Sequence, residues 1–450
     1  MARTVIGNLG SPHRTTVDET GRMARPDVAW ALDWSVGADD RWRLPGQEAN
    51  VRQRLLDNTP VVETAMRVPG GDVVHRAYAV RHQGTDLAMF EISNCSPVPV
   101  AVALTVRPET AAVKHIGLSG STVVVDGDRA VELPGRPRLC APAGGGTDAM
   151  ATVRSGQAVP EFPARLRCSA GKAQAAFLYP LAHRAVLRGA LPLGPGHVTK
   201  RSWGRALRGM GGLGGTRARD GDSLEVAITQ LPGADAVSRS WQVQMSRGMR
   251  LELPPGRLAD VVAASRCFLL LAARGSNPLP STIPTALQVF GFSREASEAE
   301  AAARPVVDLR AVSPAESLAR LAGLVDRASA TGTWSDNEDG HVSAELCVLV
   351  RNALIGDLPS GLELCRALPS AWFGQNLEVH EAPTSSGLVS FALRWHGPRP
   401  ALIWQVSGPG TPGPPVRISS PGLDPQWSTT ATSGEDLLGA VSLPAGGPEP

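Results

Sequence analysis

Several residue types and patterns that mark large classes of protein are scarce in this sequence. Of its 44 basic residues, only Lys114, Lys172 and Lys200 are lysines, and the formal net charge is +2. A charge this close to neutral gives no sign of the basic surface that nucleic acid requires. The longest apolar run, CFLLLAA at residues 267–273, is far shorter than the ~20 residues that span a bilayer. We therefore expect neither a nucleic acid nor a membrane as partner.

Secretion and metal-binding signals are also missing. The first 21 residues contain no apolar segment of the signal-peptide kind, so we expect a cytoplasmic protein. Six cysteines are scattered without CxxC spacing, which favours reduced, mostly buried thiols. Since no pair of cysteines or histidines has zinc-ligand spacing, we predict no metal site, and we predict no cofactor.

Turn-forming residues and short apolar runs dominate what is present. The 48 glycines and 38 prolines favour short strands joined by turns. Residues 61–81 form two extended runs around Pro69 and Gly70, and Asp126-Gly127 marks another tight turn. Further strands are predicted at residues 87–93, 99–108, 121–133, 172–182 and 223–231. Residues 1–275 thus predict a large antiparallel β-supersandwich domain.

Residues 276–356 have the pattern of helices. Segments 285–292 and 293–303 are helix-prone, and Ser313, Pro314 and Glu316 have the spacing of a helix start. A last helix is predicted at about residues 342–355, with Gly356 as its C-cap. Residues 357–450 return to strands and predict a small C-terminal β-sandwich with a loose tail. The expected fold class is mostly β with a small α segment.

Two glycine-containing motifs have the wrong context for the sites they resemble. Gly209, Gly211 and Gly214 match GxGxxG, but a turn and a strand follow where a dinucleotide site needs a helix. The acidic loop at residues 336–340 lacks the carboxylate that closes an EF-hand, because Leu346 stands at that position. We predict a loop in each case.

The last predicted helix carries one narrow polar stripe. It is apolar nearly all round, which predicts burial, yet His341, Glu345 and Asn352 fall on one face. Because burying an ionised glutamate is costly, that face either meets water or lines a cavity. A second candidate surface is the tryptophan-rich segment WALDWSVGADDRW at residues 30–42, where indoles either stack on sugar rings or pack in the core.

The order of elements resembles the glucoamylase-like six-hairpin glycosidases. The resemblance lies in residues 6–21, in residues 253–273, in GTWSDNEDGHVSAELCVLVRNALIGD at residues 332–357, and in residues 364–395. It implies an (α/α)6 toroid between two β domains, with Glu345 in the general-base position. Residues 276–356 leave room for only about four helices at average helix and loop lengths. The resemblance therefore implies a truncated toroid, and we find no partner acid in a matching motif.

These observations predict a non-catalytic, glycosidase-like protein that binds a glycan or a protein partner. The predicted ligand-binding residues are Trp334, Asp339, His341 and Glu345. The alternative is a glycoside hydrolase that uses the same residues as a minimal acid/base site, with Glu345 as the weak catalytic candidate. A third possibility is a subunit that completes another chain's toroid, and the oligomeric state stays open.

Overall fold

The computed structural model describes residues 3–39, 41–82, 84–194, 228–274, 279–302, 313–334, 340–408 and 416–442. It divides into two compact units, Met1–Ser240 (unit 1) and Trp241–Pro450 (unit 2). The expected fold class, mostly β with a small α segment, is confirmed. The three predicted domains, 1–275, 276–356 and 357–450, have other boundaries than these units and stay a prediction.

Unit 1 contains two antiparallel sheets. In the described residues, the first sheet has the order β1-β2-β3-β4-β10-β16-β14, with β5 paired to β4, and the second has the order β15-β11-β12-β13-β17-β9-β8-β7-β6. The strands are β1 Arg3–Gly7, β2 Arg14–Asp18, β3 Met23–Ala24, β4 Trp30–Ala38, β5 Arg41–Arg43, β6 Val51–Leu55, β7 Val62–Val68, β8 Gly71–His82, β9 Thr85–Asn94, β10 Val100–Pro108, β11 His115–Ser119, β12 Thr122–Val125, β13 Asp128–Glu132, β14 Leu139–Ala143, β15 Leu166–Arg167, β16 Gln174–Leu181 and β17 Val186–Pro192.

The two sheets pack face to face around an apolar core. Trp34 of β4 stacks on His75 of β8, with ring centroids 5.4 Å apart. Burial lowers the pKa of His75 to about 3, so this imidazole stays neutral and serves as packing. On the other side of the first sheet, helix α1 (Ala149–Arg154) covers a patch of small apolar residues that includes Ala103 and Ala176. The hairpins predicted at Pro69-Gly70 and Asp126-Gly127 are present.

Helix α2 spans Ala234–Met245, and five further helices are described in unit 2. They are α3 Arg257–Ala272, α4 Thr282–Val289, α5 Ser293–Glu300, α6 Pro314–Arg327 and α7 His341–Leu354. Helix α7 lies at the centre, in contact with α3, α4 and α6. The predicted start of α6 is confirmed, because the hydroxyl of Ser313 accepts a hydrogen bond from the Glu316 amide at 3.3 Å. No helix in the described residues is long and apolar enough to cross a bilayer.

Two sheets complete the described part of unit 2. Their orders are β18-β21-β22-β23-β26 and β19-β20-β24-β25. The strands are β18 Arg250–Glu252, β19 Ile355–Leu358, β20 Gly361–Leu364, β21 Leu377–Thr384, β22 Gly387–His396, β23 Arg399–Ser407, β24 Ile418–Ser420, β25 Asp424–Thr429 and β26 Ser433–Leu437.

Two local predictions are wrong. Gly356 does not cap α7: the helix ends at Leu354 and the extended Ile355 starts β19 directly. The strand predicted at residues 223–231 is helical at residues 228–230, and its earlier part lies outside the described residues. The glycine motif at residues 209–214 also lies outside them.

Candidate functional site

The polar stripe of α7 exists as the sequence indicates. Eleven residues of this helix are buried, and the three that are not fully buried are His341, Glu345 and Asn352. The prediction of a buried helix with one narrow polar face is therefore confirmed.

Two of the predicted site residues, Glu345 and Trp334, are held by structural contacts. Glu345 forms an ion pair with Arg320 of α6, and their side chains are 23% and 38% exposed. The Glu345 carboxylate thus contacts α6 at a partly exposed surface. Trp334 is only 5% exposed, and its indole Nε1 donates to the Leu324 carbonyl at 2.9 Å. Asp339 lies outside the described residues.

The start of α7 packs closely against α3. Gly340 has φ = 81°, a conformation that residues with a Cβ rarely adopt. A Cβ at this position would lie 2.3 Å from the Cβ of Ala272 on α3. Gly340 therefore lies against α3, which makes a glycine at this position a packing requirement. The ligand-binding role of Trp334, Asp339, His341 and Glu345 stays a prediction.

A cavity in unit 1 brings together more charged and polar side chains than the stripe of α7 does. Its volume is about 590 Å³, within the ~300–1,000 Å³ of small-molecule sites. Sequence reasoning did not predict it. It is lined by Asp18, Thr20, Arg22, Asp33, Trp34, Ser35, Leu44, Pro45, Gly46, Gln47, Thr105, Arg107, Pro108, Asp148, Met150, Lys172 and Gln174.

Strand register places the central polar residues side by side. In the pairing of β4 with β10, Asp33 lies opposite Thr105. Side chains alternate between the faces of a strand, so Ser35 shares the face of Asp33, and Arg107 shares that of Thr105. Thr105 is only 3% exposed, and its Oγ1 has no hydrogen-bond partner in the described structure. The lining residues therefore include one with a buried hydroxyl that has no hydrogen-bond partner in the described structure.

Asp33 is the electrostatic centre of the cavity. Arg107 donates to its Oδ2 through Nε, and the Nε of Arg22 lies 3.6 Å from its Oδ1. Burial among protein atoms raises the pKa of Asp33, and this outweighs both guanidinium groups although 21% of the side chain is exposed. Arg22 also pairs with Glu109, which Arg3 contacts at 3.2 Å. The carboxylate is thus fixed in a network of alternating charges.

The turn between β2 and β3 forms one wall of the cavity. Asp18 Oδ1 accepts from the amides of Thr20 and Arg22 at 2.9 and 3.1 Å, which folds the turn back on itself. Trp34 Nε1 donates to the Thr20 carbonyl at 2.9 Å. Gly21 has φ = 81°, and a Cβ there would lie 2.8 Å from that indole nitrogen. A rigid indole therefore supports the wall.

The charges around the cavity balance. Three carboxylates (Asp18, Asp33, Asp148) and three cations (Arg22, Arg107, Lys172) line it. Hydroxyl and amide side chains lie between them, namely Thr20, Ser35, Gln47, Thr105 and Gln174. Such a lining offers many hydrogen-bond donors and acceptors without a net field that would favour an anion or a cation.

Comparisons with known proteins do not identify a family for this chain. No protein-family model matches the chain, and no curated protein matches it. One solved structure that it resembles is a bacterial glucoamylase complexed with acarbose, at 9% identity and a TM-score of 0.38. The match covers 64% of this chain and 47% of that one, so the chain spans about half the length of that structure. A similarity at this level supports no conclusion about fold or function.

The predicted membership of the six-hairpin glycosidase family is therefore wrong. The described chain is mostly β sheet, and its helices between Arg257 and Leu354 do not form an (α/α)6 toroid, whole or truncated. The quoted motifs are short, and their order is compatible with another arrangement. In the motif at residues 332–357, for example, His341–Leu354 form α7, which contacts α3, α4 and α6 within one compact unit.

Proposed function

We propose that this protein is a non-catalytic binding protein for a small, neutral, polyhydroxylated ligand of the carbohydrate class, held in the cavity of unit 1. The observation that carries the proposal is the balanced polar lining of a 590 Å³ space. A sugar presents many hydroxyl groups and no net charge, which suits alternating donors and acceptors. The cytoplasm is the predicted compartment.

Three contacts define how the ligand is held. Asp33, already oriented by Arg107 and Arg22, accepts from ligand hydroxyls with the carboxylate oxygen surface that remains exposed. Lys172 and Gln174 also line the cavity and donate to ligand oxygens. Because side chains fixed by packing lose little freedom on binding, this arrangement favours affinity.

Glu345 does not favour the hydrolase alternative. Glycosidases use two carboxyl groups across the scissile bond, one as acid and one as base or nucleophile. The ionic partner of Glu345 in the described residues is the cation Arg320. Hydrolysis of an oligosaccharide that disappears in Glu345→Gln would nevertheless establish that alternative over ours.

Isothermal titration calorimetry with neutral mono- to trisaccharides tests the proposal, with glucuronic acid and glucosamine as charged comparisons. We expect saturable heat with a neutral sugar and weaker binding of both charged sugars. Asp33→Asn should weaken binding about tenfold to hundredfold, since charged hydrogen bonds contribute roughly 1.5–3 kcal/mol. Asp128→Asn, an exposed change on β13, is the matched control and should leave affinity unchanged.

Two results would contradict the proposal. One is the absence of heat with every neutral sugar, together with stable co-purification of a protein, which would favour the partner-binding scaffold. The other is sugar binding that Asp33→Asn leaves unchanged.

A further inference from the structure

A cluster of three potential metal ligands lies on the five-stranded sheet of unit 2. One ligand atom each from Glu252, Glu378 and His380 can be chosen so that all lie within 4.8 Å of one another. His380 Nε2 is 2.9 Å from Glu378 Oε2 and 3.9 Å from Glu252 Oε1. We propose that these residues bind a divalent transition metal of the zinc type.

The sheet itself brings the three ligands together. Glu252 lies directly opposite Glu378 in the pairing of β18 with β21. His380 follows two residues later on the same face, while Leu377 and Val379, on either side of Glu378, are buried on the other face. Because both strands are hydrogen-bonded along this stretch, the Cα positions of the ligands are fixed before an ion arrives.

Two features around the cluster aim the side chains. Arg394 of β22 donates to Glu378 Oε1, which turns Oε2 towards His380. The pairing of β21 with β22 also shifts register between Val379 and Ala382, so His380 lies in a β-bulge. Bulges redirect side chains, and hydrogen bonds to the second oxygen of a ligating carboxylate are a common support of metal sites.

The donor set points to the kind of ion. Zinc binds imidazole nitrogen and carboxylate oxygen at ~2.0–2.2 Å, so tetrahedral ligands are separated by about 3.4 Å. The two measured separations lie on either side of that value. Three protein ligands leave a fourth position for water. Magnesium and calcium prefer sets made only of oxygen, so one imidazole favours the transition metal.

Sequence spacing could not reveal this cluster. More than a hundred residues separate Glu252 from Glu378, and motif searches for zinc sites rely on ligands close together in sequence. The expectation that the chain has no zinc site rested on such spacing among cysteines and histidines alone.

Titration of zinc chloride into the metal-free full-length protein, followed by calorimetry, tests the proposal. We expect one site whose affinity falls at least about tenfold in His380→Ala and in Glu252→Gln, as for losses at metal sites generally. Glu252 has a side chain that is 70% exposed, so that variant should fold normally. His396→Ala, an exposed histidine at the end of β22, is the matched control and should not change the affinity.

Cobalt provides a second readout. Co²⁺ added to the metal-free protein should give visible absorption bands typical of a four-coordinate site, and His380→Ala should abolish them. Zinc affinity equal in wild type and His380→Ala, or no zinc binding, would overturn the proposal.

Discussion

The polar stripe of α7 and the cavity of unit 1 both place charged side chains beside apolar packing, but they use them differently. In the stripe, Glu345 is neutralised by Arg320 of the adjacent helix. In the cavity, Asp33 meets two guanidinium groups and still borders a 590 Å³ space. The two regions therefore differ in whether open volume lies next to the charged side chain.

The start of α7 should be the most sensitive position. If the start of α7 is closely packed, Gly340→Ala should destabilise the protein by about 3 kcal/mol. Alanine is strained in the left-handed conformation of this position, and its Cβ would also overpack the contact with α3. The clash is with Ala272 on α3. Urea unfolding measures the change.

Gly323→Ala is the matched control for that experiment. Gly323 is an exposed position in α6, and nothing lies within 4 Å of the added Cβ. Gly323→Ala should stabilise the protein by about 0.5–1 kcal/mol, because alanine has the higher helix propensity. Equal stability of Gly340→Ala and wild type would show that α7 is not closed at its start.

The second prediction concerns the pH dependence of Asp33. Because its pKa is raised above the ordinary 3.8, the folded state holds the proton to higher pH than the unfolded state does. Stability therefore falls as pH rises from 3.8 through the folded pKa. The free energy of unfolding of wild type should fall relative to Asp33→Asn between about pH 3 and pH 6.

Urea unfolding at intervals across that range measures the difference. Asp128→Asn, at an exposed position on β13, is again the control. A wild-type advantage that grows with pH would contradict the account, since it would mean that the guanidinium groups dominate over burial.

The smallest effect is expected for the ion pair of the stripe. Both side chains are partly exposed, so the coupling energy between Arg320 and Glu345 should be only about 0.5 kcal/mol. A double-mutant cycle with Arg320→Ala and Glu345→Gln measures it. A coupling energy of several kcal/mol would contradict this expectation, because it would require the ion pair to be shielded from water.

Local patterns in the sequence predicted much of the fold. The hairpin at Pro69-Gly70, the start of α6 at Ser313 and the polar stripe of α7 follow from turn chemistry, capping and helical periodicity. Each of these depends on residues close together in the chain. Gly356 was predicted to cap α7 because glycine is common just after the end of a helix. The helix ends earlier because Ile355 pairs with Leu364 in a sheet.

The cavity could not be predicted for a physical reason. Its lining comes from separate segments, with Asp18, Asp33, Thr105 and Lys172 brought together only by the order β2-β3-β4-β10-β16. The sequence did contain one signal, since Asp33 lies between Leu32 and Trp34 in a strand that is otherwise nearly all buried. Because burying a charge is costly, a charge at that position must face either water or a cavity, as argued for Glu345.

The most direct test of the account compares Asp33→Asn with Glu345→Gln in one calorimetric titration of a neutral sugar. The account predicts that Asp33→Asn weakens binding at least about tenfold, while Glu345→Gln binds as wild type does. Loss of binding in Glu345→Gln with normal binding in Asp33→Asn would place the ligand at the stripe of α7 and contradict the assignment to the cavity of unit 1.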